Sequence, residues 1–226
     1  VTGWTPDFGL TKDEHRKGDV LVKLDVEDMD APAVGYLVGQ RVVNKVPVLT
    51  HYPFSTAELK NMGGAMAAAG AIGLFHVVGV TPEAPTLEAV FDDEPKQTIV
   101  ITQKDVDALR LERAQQDTAE MVVFGCPQMA LDEIKDIGAH FVGKQVKKRS
   151  LFHVMPSALE QLRALPLHGQ LLAAGVELHP HCPLAAMSMS LGGGRILTPS
   201  GKLHYYLQQA DYGNLNDALR AAGVRS

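Results

Sequence analysis

Short runs of β-branched residues alternate with amphipathic stretches along most of this chain, and this alternation constrains the fold more than any other feature. Strands separated by helices form βα units, and successive βα units build a largely parallel sheet. The predicted strands are Val20 to Val26, Val46 to Thr50, Ile72 to Val77, Thr98 to Thr102, Met121 to Phe124, Leu151 to Val154, Val176 to Leu178 and Ile196 to Leu197. The predicted helices are Pro32 to Val43, Ser55 to Ala69, Glu83 to Phe91, Lys104 to Gln116, Met129 to Val142, Pro156 to Leu172 with a break near Pro166, and Asn214 to Ala221. The sequence therefore predicts an α/β fold with a mainly parallel sheet.

The chain is long enough to bury a substantial core, because 46% of its 226 residues are hydrophobic. The acidic stretch from Asp92 to Lys96 is the predicted subdomain boundary. It divides the chain into an α/β subdomain at 1–94, which contains the GVTPEA loop, and an α/β subdomain at 95–226, which carries both cysteines and the TPSGK loop. Because the chain begins at Val1 with a loop-like segment, we expect a fragment or a cleaved product.

Charge and cysteine content exclude several classes of protein. The formal net charge is −5, and the one basic cluster, Lys144 to Arg149, lacks interleaved aromatic residues, which argues against nucleic-acid binding. No apolar run approaches the roughly 20 residues that span a bilayer, so we expect no membrane insertion. The only two cysteines, Cys126 and Cys182, are far apart in sequence, which favours free thiols in a reducing, cytoplasmic compartment.

The residues that could act in catalysis or ligand binding follow predicted strands, where ligands of open parallel sheets bind. Cys126 follows one strand within GCP, and the segment HPHC, which contains His179, His181 and Cys182, follows another. A cysteine just ahead of a helix faces free backbone amides, which favours the thiolate that binds metal or attacks carbon, and Cys126 matches that pattern. Cysteine followed by proline also recurs among iron–sulfur ligands. The alternatives for the two cysteines are small core residues, a zinc site completed by histidine, or a nucleophile at Cys126.

Two further loops could bind or activate a substrate. TPSGK lacks the spacing of a nucleotide-binding phosphate loop, but Ser200 and Lys202 could hold a carboxylate or phosphate. The loop after His76 contains Thr81 and Glu83, which could place a substrate-binding hydroxyl and a general acid or base beside the ligand. The alternatives are a plain surface turn for TPSGK and a structural role for His76, as we expect for His153.

Six segments together resemble the aconitase X family. LFHVVGVTPEA, FGCPQ, HPHC and TPSGK match segments of its large subunits in the same order, and TGWTPDFGL and DAPAVGYLVG resemble the part just after the first half of those subunits. The resemblance covers nearly the whole chain and implies aconitase-like large-subunit domains. It also implies an iron–sulfur lyase that removes water from a hydroxylated carboxylic acid, with members acting on cis-3-hydroxy-L-proline in bacteria and on mevalonate 5-phosphate in archaea.

Carried over by residue, the resemblance assigns Cys126 and Cys182 as two of three cluster ligands. It implies that the third cysteine lies in an N-terminal half of the large subunit, which this chain lacks, and that a small swivelling domain contributes a serine. The chain would then be active only with both partners. We expect His76 or Glu83 to assist proton transfer, and Thr81, Ser200 and Lys202 to bind substrate.

Three departures from the family pattern bear on the substrate. Gln128 stands where histidine usually follows GCP, Pro180 and His181 replace Asp and Thr before the second cysteine, and TNSGK has become TPSGK. We expect a cis-3-hydroxy-L-proline dehydratase type of enzyme. The alternatives are a mevalonate 5-phosphate dehydratase type, a catalytically inactive assembly or regulatory subunit, and a zinc or thiol enzyme that uses Cys126.

Overall fold

The structure is a computed structural model that describes residues 3–4, 9–10, 12–110, 117–185, 194–207 and 209–225. Its strands are β1 Val20–Asp25, β2 Pro47–Leu49, β3 His76–Val77, β4 Thr98–Thr102, β5 Met121–Met129, β6 Arg149–Val154, β7 Val176–His179, β8 Ile196–Thr198 and β9 Ala210–Tyr212. Its helices are α1 Ala31–Val42, α2 Thr56–Gly70, α3 Gln103–Leu109, α4 Leu131–Gly138, α5 Pro156–Arg163, α6 Pro166–Ala174, α7 Gly201–Tyr206 and α8 Leu215–Ala222. Short 3₁₀ turns lie at Asp13–His15 and Ala139–Phe141.

The strands form two sheets, and every strand pair in them is parallel. The first sheet has the order β3-β2-β1-β4, and the second has the order β7-β6-β5-β8-β9. Helices connect β1 to β2, β2 to β3, β5 to β6, β6 to β7 and β8 to β9, as expected for crossovers between parallel strands, whereas turns connect β3 to β4. The predicted α/β fold with parallel sheet is therefore confirmed.

Strand β5 illustrates why these strands are nearly continuous apolar runs. Met121 and Val123 pack into one hydrophobic cluster, while the alternating Val122 and Phe124 pack into another on the opposite face. Strand side chains alternate between the two faces, so a sheet covered on both faces needs apolar residues at every position. The second sheet is therefore buried on both faces around β5.

Side-chain caps place the starts of several helices. Ser55 accepts a hydrogen bond from the backbone N–H of Glu58, and the Glu58 carboxylate accepts one from the backbone N–H of Ser55, which confirms the predicted start of α2. Thr102 with Asp105 and Asn214 with Asp217 form the same reciprocal arrangement at the starts of α3 and α8. These caps satisfy backbone donors that lack a partner within the helix.

The predicted helix from Glu83 to Phe91 is wrong, because this segment forms successive turns. Pro85 breaks the run after its second residue, and buried Ala84 and Val90 pack against Val48 instead of forming one helical face. The predicted strand from Ile72 is shorter and comprises only His76–Val77.

Other predictions differ in their bounds. The helix predicted from Met129 begins at Leu131, because β5 continues to Met129. The part of the helix predicted from Lys104 to Gln116 that follows Arg110 lies outside the described residues. The prediction also missed α7 and β9, which at six and three residues are too short to show a hydrophobic period.

The strands divide between the sheets later in the chain than the predicted boundary at 94/95. Strand β4 pairs with β1 over five residues, so it belongs to the first sheet together with α3, which follows it. The division therefore falls between Leu109 and Met121. An acidic turn marks solvent exposure, and it does not by itself show which sheet the next strand joins.

The two halves are joined by specific contacts. Tyr212 is the last residue of β9 in the second sheet; its hydroxyl donates to the Asp30 carboxylate of the first half at 2.6 Å, and its ring packs into the core of the first sheet. Arg110 pairs with Asp217 at 2.9 Å, and Lys60 pairs with Glu133. These contacts bring the ends of β1, β5, β8 and β9 to one region. None of the described helices has the length and apolar character needed to cross a membrane.

Candidate functional site

A cavity of about 310 Å³ lies where the loops after four strands meet. The loop after β1, the end of β5 and the loops after β8 and β9 line it, and helices α2 and α4 complete its wall. The lining residues are Asp28, Met29, Asp30, Ala31, Pro32, Glu58, Asn61, Phe124, Gly125, Cys126, Pro127, Met129, Glu133, Ile137, Pro199, Ser200, Asn214, Leu215 and Asn216. Its location at the carboxyl ends of parallel strands is where ligands of such sheets bind.

Two of the predicted site residues, Cys126 and Ser200, line this cavity, and two more, Cys182 and Lys202, lie close enough to Cys126 to affect its pKa. The pKa of the Cys126 thiol is raised to about 11, mainly by burial. The Lys202 charge lowers this pKa, the Cys182 charge raises it, and a hydrogen bond with Ser200 lowers it. Such electrostatic effects require proximity, so Cys126, Cys182, Ser200 and Lys202 form one group. Cys126 is buried and Cys182 is exposed.

The location of Cys126 differs from the prediction in one respect. Cys126 and Pro127 lie within β5, and α4 begins only at Leu131 after Ala130. The Cys126 thiol therefore does not lie at a helix N-terminus, and burial opposes the thiolate that the sequence pattern suggested. The prediction failed because β5 continues through the GCP segment instead of ending at Phe124.

Ser200 shapes the loop that carries Lys202. Its Oγ accepts a hydrogen bond from the backbone N–H of Leu203 at 3.0 Å, which caps α7, and its hydroxyl donates to the Cys126 carbonyl. TPSGK is therefore a turn into a short helix, fastened to β5 through the Ser200 hydroxyl. Because this hydroxyl already has two partners, its first role is to position Cys126 and α7.

Lys202 has a free ammonium in the described part of the chain, where no hydrogen bond or ion pair involves it. A Cβ built on Gly64 of α2 would lie 2.7 Å from Pro127 Cγ and 3.7 Å from Lys202 Cδ. The Lys202 stem thus lies against α2 and Pro127, next to Cys126. A charged donor without a protein partner beside a cavity suits an anionic group of a ligand.

His153 supports the HPHC loop. It is buried, its Nδ1 donates to the His181 carbonyl at 2.9 Å, and its ring stacks on His179 with centroids 5.4 Å apart. Burial lowers the pKa of His153, which keeps the ring neutral. This agrees with its expected structural role. His179 Nε2 in turn lies 3.3 Å from a Glu177 carboxylate oxygen.

The described residues contain no group of three or more histidine, cysteine or acidic side chains arranged to hold a metal ion. Cys126 and Cys182 are two thiols that interact electrostatically and lie near the Lys202 charge, and iron–sulfur clusters are held by thiolates. The pair therefore fits a cluster as part of its ligand set, with further ligands needed from outside the described part.

The other predicted site residues lie elsewhere. His76 is buried, its Nε2 lies 2.7 Å from the Arg16 carbonyl, and its Nδ1 has no partner in the described part of the chain. Glu83 pairs with the Arg16 guanidinium. The Thr81 hydroxyl bonds to the backbone of Val77 at 3.0 and 3.2 Å. None of these three predicted residues lines the cavity, and two of them, His76 and Glu83, contact Arg16.

Sequence reasoning missed Asp30, which lines the cavity and caps α1 by accepting from the backbone N–H of Ala33. Burial raises its pKa, while the Tyr212 hydrogen bond lowers it. An aspartate directly before Ala-Pro at a helix start is a local capping signal. The contact with Tyr212 has no local signal, because 182 positions separate the two residues.

Comparisons with known proteins agree with this geometry. Models of the aconitase X second domain and of the aconitase X third domain match residues 18–111 and 119–223. The phosphomevalonate dehydratase large subunit of Thermococcus kodakarensis is 40% identical over 61% of this chain and 36% of its own length. The cis-3-hydroxy-L-proline dehydratase of Pseudomonas aeruginosa is 31% identical over 64% of this chain and 27% of its own length.

A solved structure extends the comparison over the whole fold. The crystal structure of Thermococcus kodakaraensis aconitase X in its holo-form has a TM-score of 0.79 and 26% identity, and the match covers 95% of this chain and 57% of that chain. The chain thus spans less than two thirds of the length of these relatives. Its two sheets correspond to the two matched domains, which meet between residues 111 and 119. The chain belongs to the aconitase X family, and its two halves match the second and third domains of that family.

Proposed function

We propose that this chain is the cluster-bearing part of an iron–sulfur hydro-lyase that removes water from a hydroxylated carboxylic acid. The observation that carries the proposal is that Cys182 and Lys202 lie close to Cys126, which lines the cavity. Two thiols beside a free ammonium combine a partial cluster site with a site for an anion. The family relationship supports the same chemistry, because relatives are named dehydratases.

Cys126 and Cys182 would hold the cluster, with a third cysteine from the N-terminal half of the large subunit. When bound, an iron of such a cluster supplies a Lewis acid for the leaving hydroxyl. Lys202 would bind the substrate carboxylate through its ammonium, and Ser200 would hold Cys126 and the turn of Lys202 in place. Roles for His76 or Glu83 in proton transfer and for Thr81 in substrate binding stay predictions. His76 and Glu83 contact Arg16, and Thr81 contacts Val77.

The proposal requires partners. Relatives are named large subunits, and this chain spans only part of their length. We therefore propose that activity needs the N-terminal half of the large subunit and a small swivelling-domain subunit, in a cytoplasmic heteromeric complex.

Metal analysis tests the cluster assignment. The protein is purified under anaerobic conditions with its co-purifying chains, and iron, sulfide and visible absorption are measured for wild type, Cys126→Ser and Cys182→Ser. We expect both variants to lose iron and sulfide, while the exposed Ser157→Ala control retains them. Equal iron and sulfide in wild type and Cys126→Ser would contradict the assignment.

The role of Lys202 is tested by affinity for substrate in the reconstituted complex. Loss of a charge-assisted hydrogen bond, worth roughly 1.5–3 kcal/mol, should weaken binding about tenfold or more in Lys202→Ala. The thermal midpoint should change little. The matched control is Lys104→Ala, since Lys104 is an exposed lysine on α3. Unchanged affinity in Lys202→Ala would argue against this role.

The substrate has two candidates. We favour a cis-3-hydroxy-L-proline type of substrate, because Lys202 lies beside Cys126 but outside the cavity lining, whose charged side chains in the described part are all acidic. A mevalonate 5-phosphate type is the second candidate, and the higher identity to phosphomevalonate dehydratase large subunits favours it. Dehydration of each compound by the reconstituted complex, followed as product formation, separates the two.

A further inference from the structure

His153 is a fully buried histidine on the Cys126 face of the second sheet. It follows Leu151 by two positions in β6, so its side chain shares a face with Leu151, which packs in one cluster with Cys126. Its Nδ1 donates to the His181 carbonyl, and its Nε2 is buried and has no partner in the described part of the chain. A buried polar atom without a partner costs stability. Histidine at this position is therefore less favourable for the fold than an apolar side chain of similar size.

The His181 carbonyl belongs to the residue directly before Cys182. Cys182 lies on the segment that leaves β7, and both His181 and Cys182 are exposed. Outside the helices and strands, the bond from His153 is the only hydrogen bond that reaches the backbone of residues 180–182 among the described residues. Further along, Leu184 packs against the cluster that contains Cys126. Between β7 and Leu184, the backbone before Cys182 is therefore held by a polar contact from one side chain.

Neighbouring groups fix the orientation of the His153 ring. His179 is its partner on β7 in the parallel register, and the two rings stack with centroids 5.4 Å apart. His179 Nε2 lies 3.3 Å from a Glu177 carboxylate oxygen, and Arg149 donates two hydrogen bonds of 2.7 and 2.9 Å to that carboxylate. This row of contacts leads from the surface to His153. A ring fixed in this way can determine where the His181 carbonyl lies.

We propose that His153 is a positioning residue for Cys182: its hydrogen bond to the His181 carbonyl places the Cys182 thiol where it can bind the same metal group as Cys126. This inference rests on the proposed function, because it concerns the ligand pair of the same site. Side chains that orient metal ligands matter for affinity, and their loss weakens metal binding by about 10–100-fold. His153 acts here through the backbone before Cys182 and is not itself a ligand.

Three substitutions separate this hydrogen bond from burial and polarity. His153→Leu removes both ring nitrogens, His153→Asn keeps an amide N–H near the position of Nδ1, and His153→Gln carries its amide one bond further out. Because His153→Leu also removes the unpartnered Nε2, its free energy of unfolding should equal or exceed that of wild type. The control is His140→Leu, which replaces an exposed histidine.

The first measurement uses Cd²⁺ alone with the metal-free protein and its co-purifying chains. Cd²⁺ is a soft cation that thiolates bind, and its sulfur-to-metal absorption in the ultraviolet reports the binding. We expect wild type to have a Cd²⁺ site that Cys126→Ser and Cys182→Ser each lose. His153→Leu and His153→Gln should bind Cd²⁺ about tenfold or more weakly, while His153→Asn and His140→Leu should bind it as wild type does.

The second measurement follows the release of iron from the anaerobically purified complex into a chelator. We expect His153→Leu to release iron about tenfold faster than wild type, with a changed visible absorption spectrum, and His153→Asn to behave as wild type does. Urea denaturation of each variant shows whether the substitution also affects the fold.

Equal Cd²⁺ affinity in wild type and His153→Leu, or no Cd²⁺ binding by wild type, would overturn the assignment. So would equal weakening in His153→Asn and His153→Leu, or weakening that parallels a loss of stability, since both indicate a structural role only. Iron and sulfide that depend on Cys126, with Cd²⁺ affinity unaffected by His153→Leu, reject the His153 role alone. Cd²⁺ binding that depends on His153, in a protein isolated without iron, rejects the cluster assignment alone.

Discussion

At the scale of single residues, burial decides the chemistry of Cys126. The local sequence GCP suggested a thiolate at a helix start, but the side chain lies within β5, and burial raises its pKa to about 11. Cys182 is exposed. A thiol with so high a pKa is a poor free nucleophile, because the thiolate is the reactive form. The geometry therefore favours a ligand role for Cys126, where a bound cation would offset the cost of the thiolate.

We predict that iodoacetamide labels the two cysteines of the metal-free protein at very different rates. Cys182 should be labelled first, and Cys126 should react slowly at neutral pH. The Cys126 rate should rise about tenfold per pH unit toward its pKa, as the thiolate fraction increases. The Lys202 charge lowers the pKa of Cys126, so Lys202→Met should raise that pKa and slow the labelling of Cys126 further. Mass spectrometry of peptides measures both rates.

The control for this experiment is Lys104→Met, which removes an exposed lysine on α3. Labelling of Cys126 as fast as Cys182 at neutral pH would contradict the prediction and favour the thiol-enzyme alternative.

At the scale of elements, glycines allow α1 and α2 to pack closely. A Cβ built on Gly35 would clash with the Met62 carbonyl, and a Cβ on Gly70 would clash with the Gly39 carbonyl. Both obstacles are backbone atoms, which cannot move without shifting a helix. The close crossing matters for the site, since Asp30 caps α1 while Glu58 and Asn61 of α2 line the cavity.

We predict that Gly35→Ala destabilises the protein by about 1–3 kcal/mol or more, because the added methyl group forces the two helices apart. Gly169→Ala is the matched control, since its added Cβ meets nothing within 4 Å. That substitution in α6 should be neutral or stabilising by up to about 1 kcal/mol, from the better helix propensity of alanine. Urea denaturation measures the free energy of unfolding of both variants. A Gly35→Ala protein as stable as Gly169→Ala would refute the close-packing argument.

At the scale of the whole molecule, the two sheets are held together by a buried ionic group. The Asp217 carboxylate, 3% exposed, lies 2.9 Å from Arg110 of the first half and 2.7 Å from Arg220 of its own helix. It also accepts from the backbone N–H of Asn214 at 3.1 Å. Removal of one partner from a buried charge is costly, because the remaining charge loses compensation.

We predict that Arg110→Met lowers the free energy of unfolding by about 1–3 kcal/mol, since Arg220 still compensates part of the Asp217 charge. Arg149→Met is the control. It breaks a pair with Glu177 of similar length, 2.7 Å, whose side chains are 44% and 39% exposed. Exposed pairs contribute less than about 1 kcal/mol. Equal effects of the two substitutions in urea denaturation would contradict the prediction.

The local features of this protein can be predicted from its residues alone. The α/β class, the positions of most strands and the Ser55 cap follow from hydrophobic period and capping chemistry, which depend on residues a few positions apart. The placement of Cys182 after β7 follows for the same reason, whereas Cys126 lies within β5 and not after it. Segments too short to show a period, such as α7 and β9, had no such signal.

Which of these local elements meet could be learned only from the folded chain. It assigned β4 to the first sheet, brought Cys126, Cys182 and Lys202 together, and placed Asp30 against Tyr212. It also separated His76 from that group. The physical reason is that burial and electrostatic contact depend on distance in space, and strand order in a parallel sheet is set by packing between residues far apart in the chain.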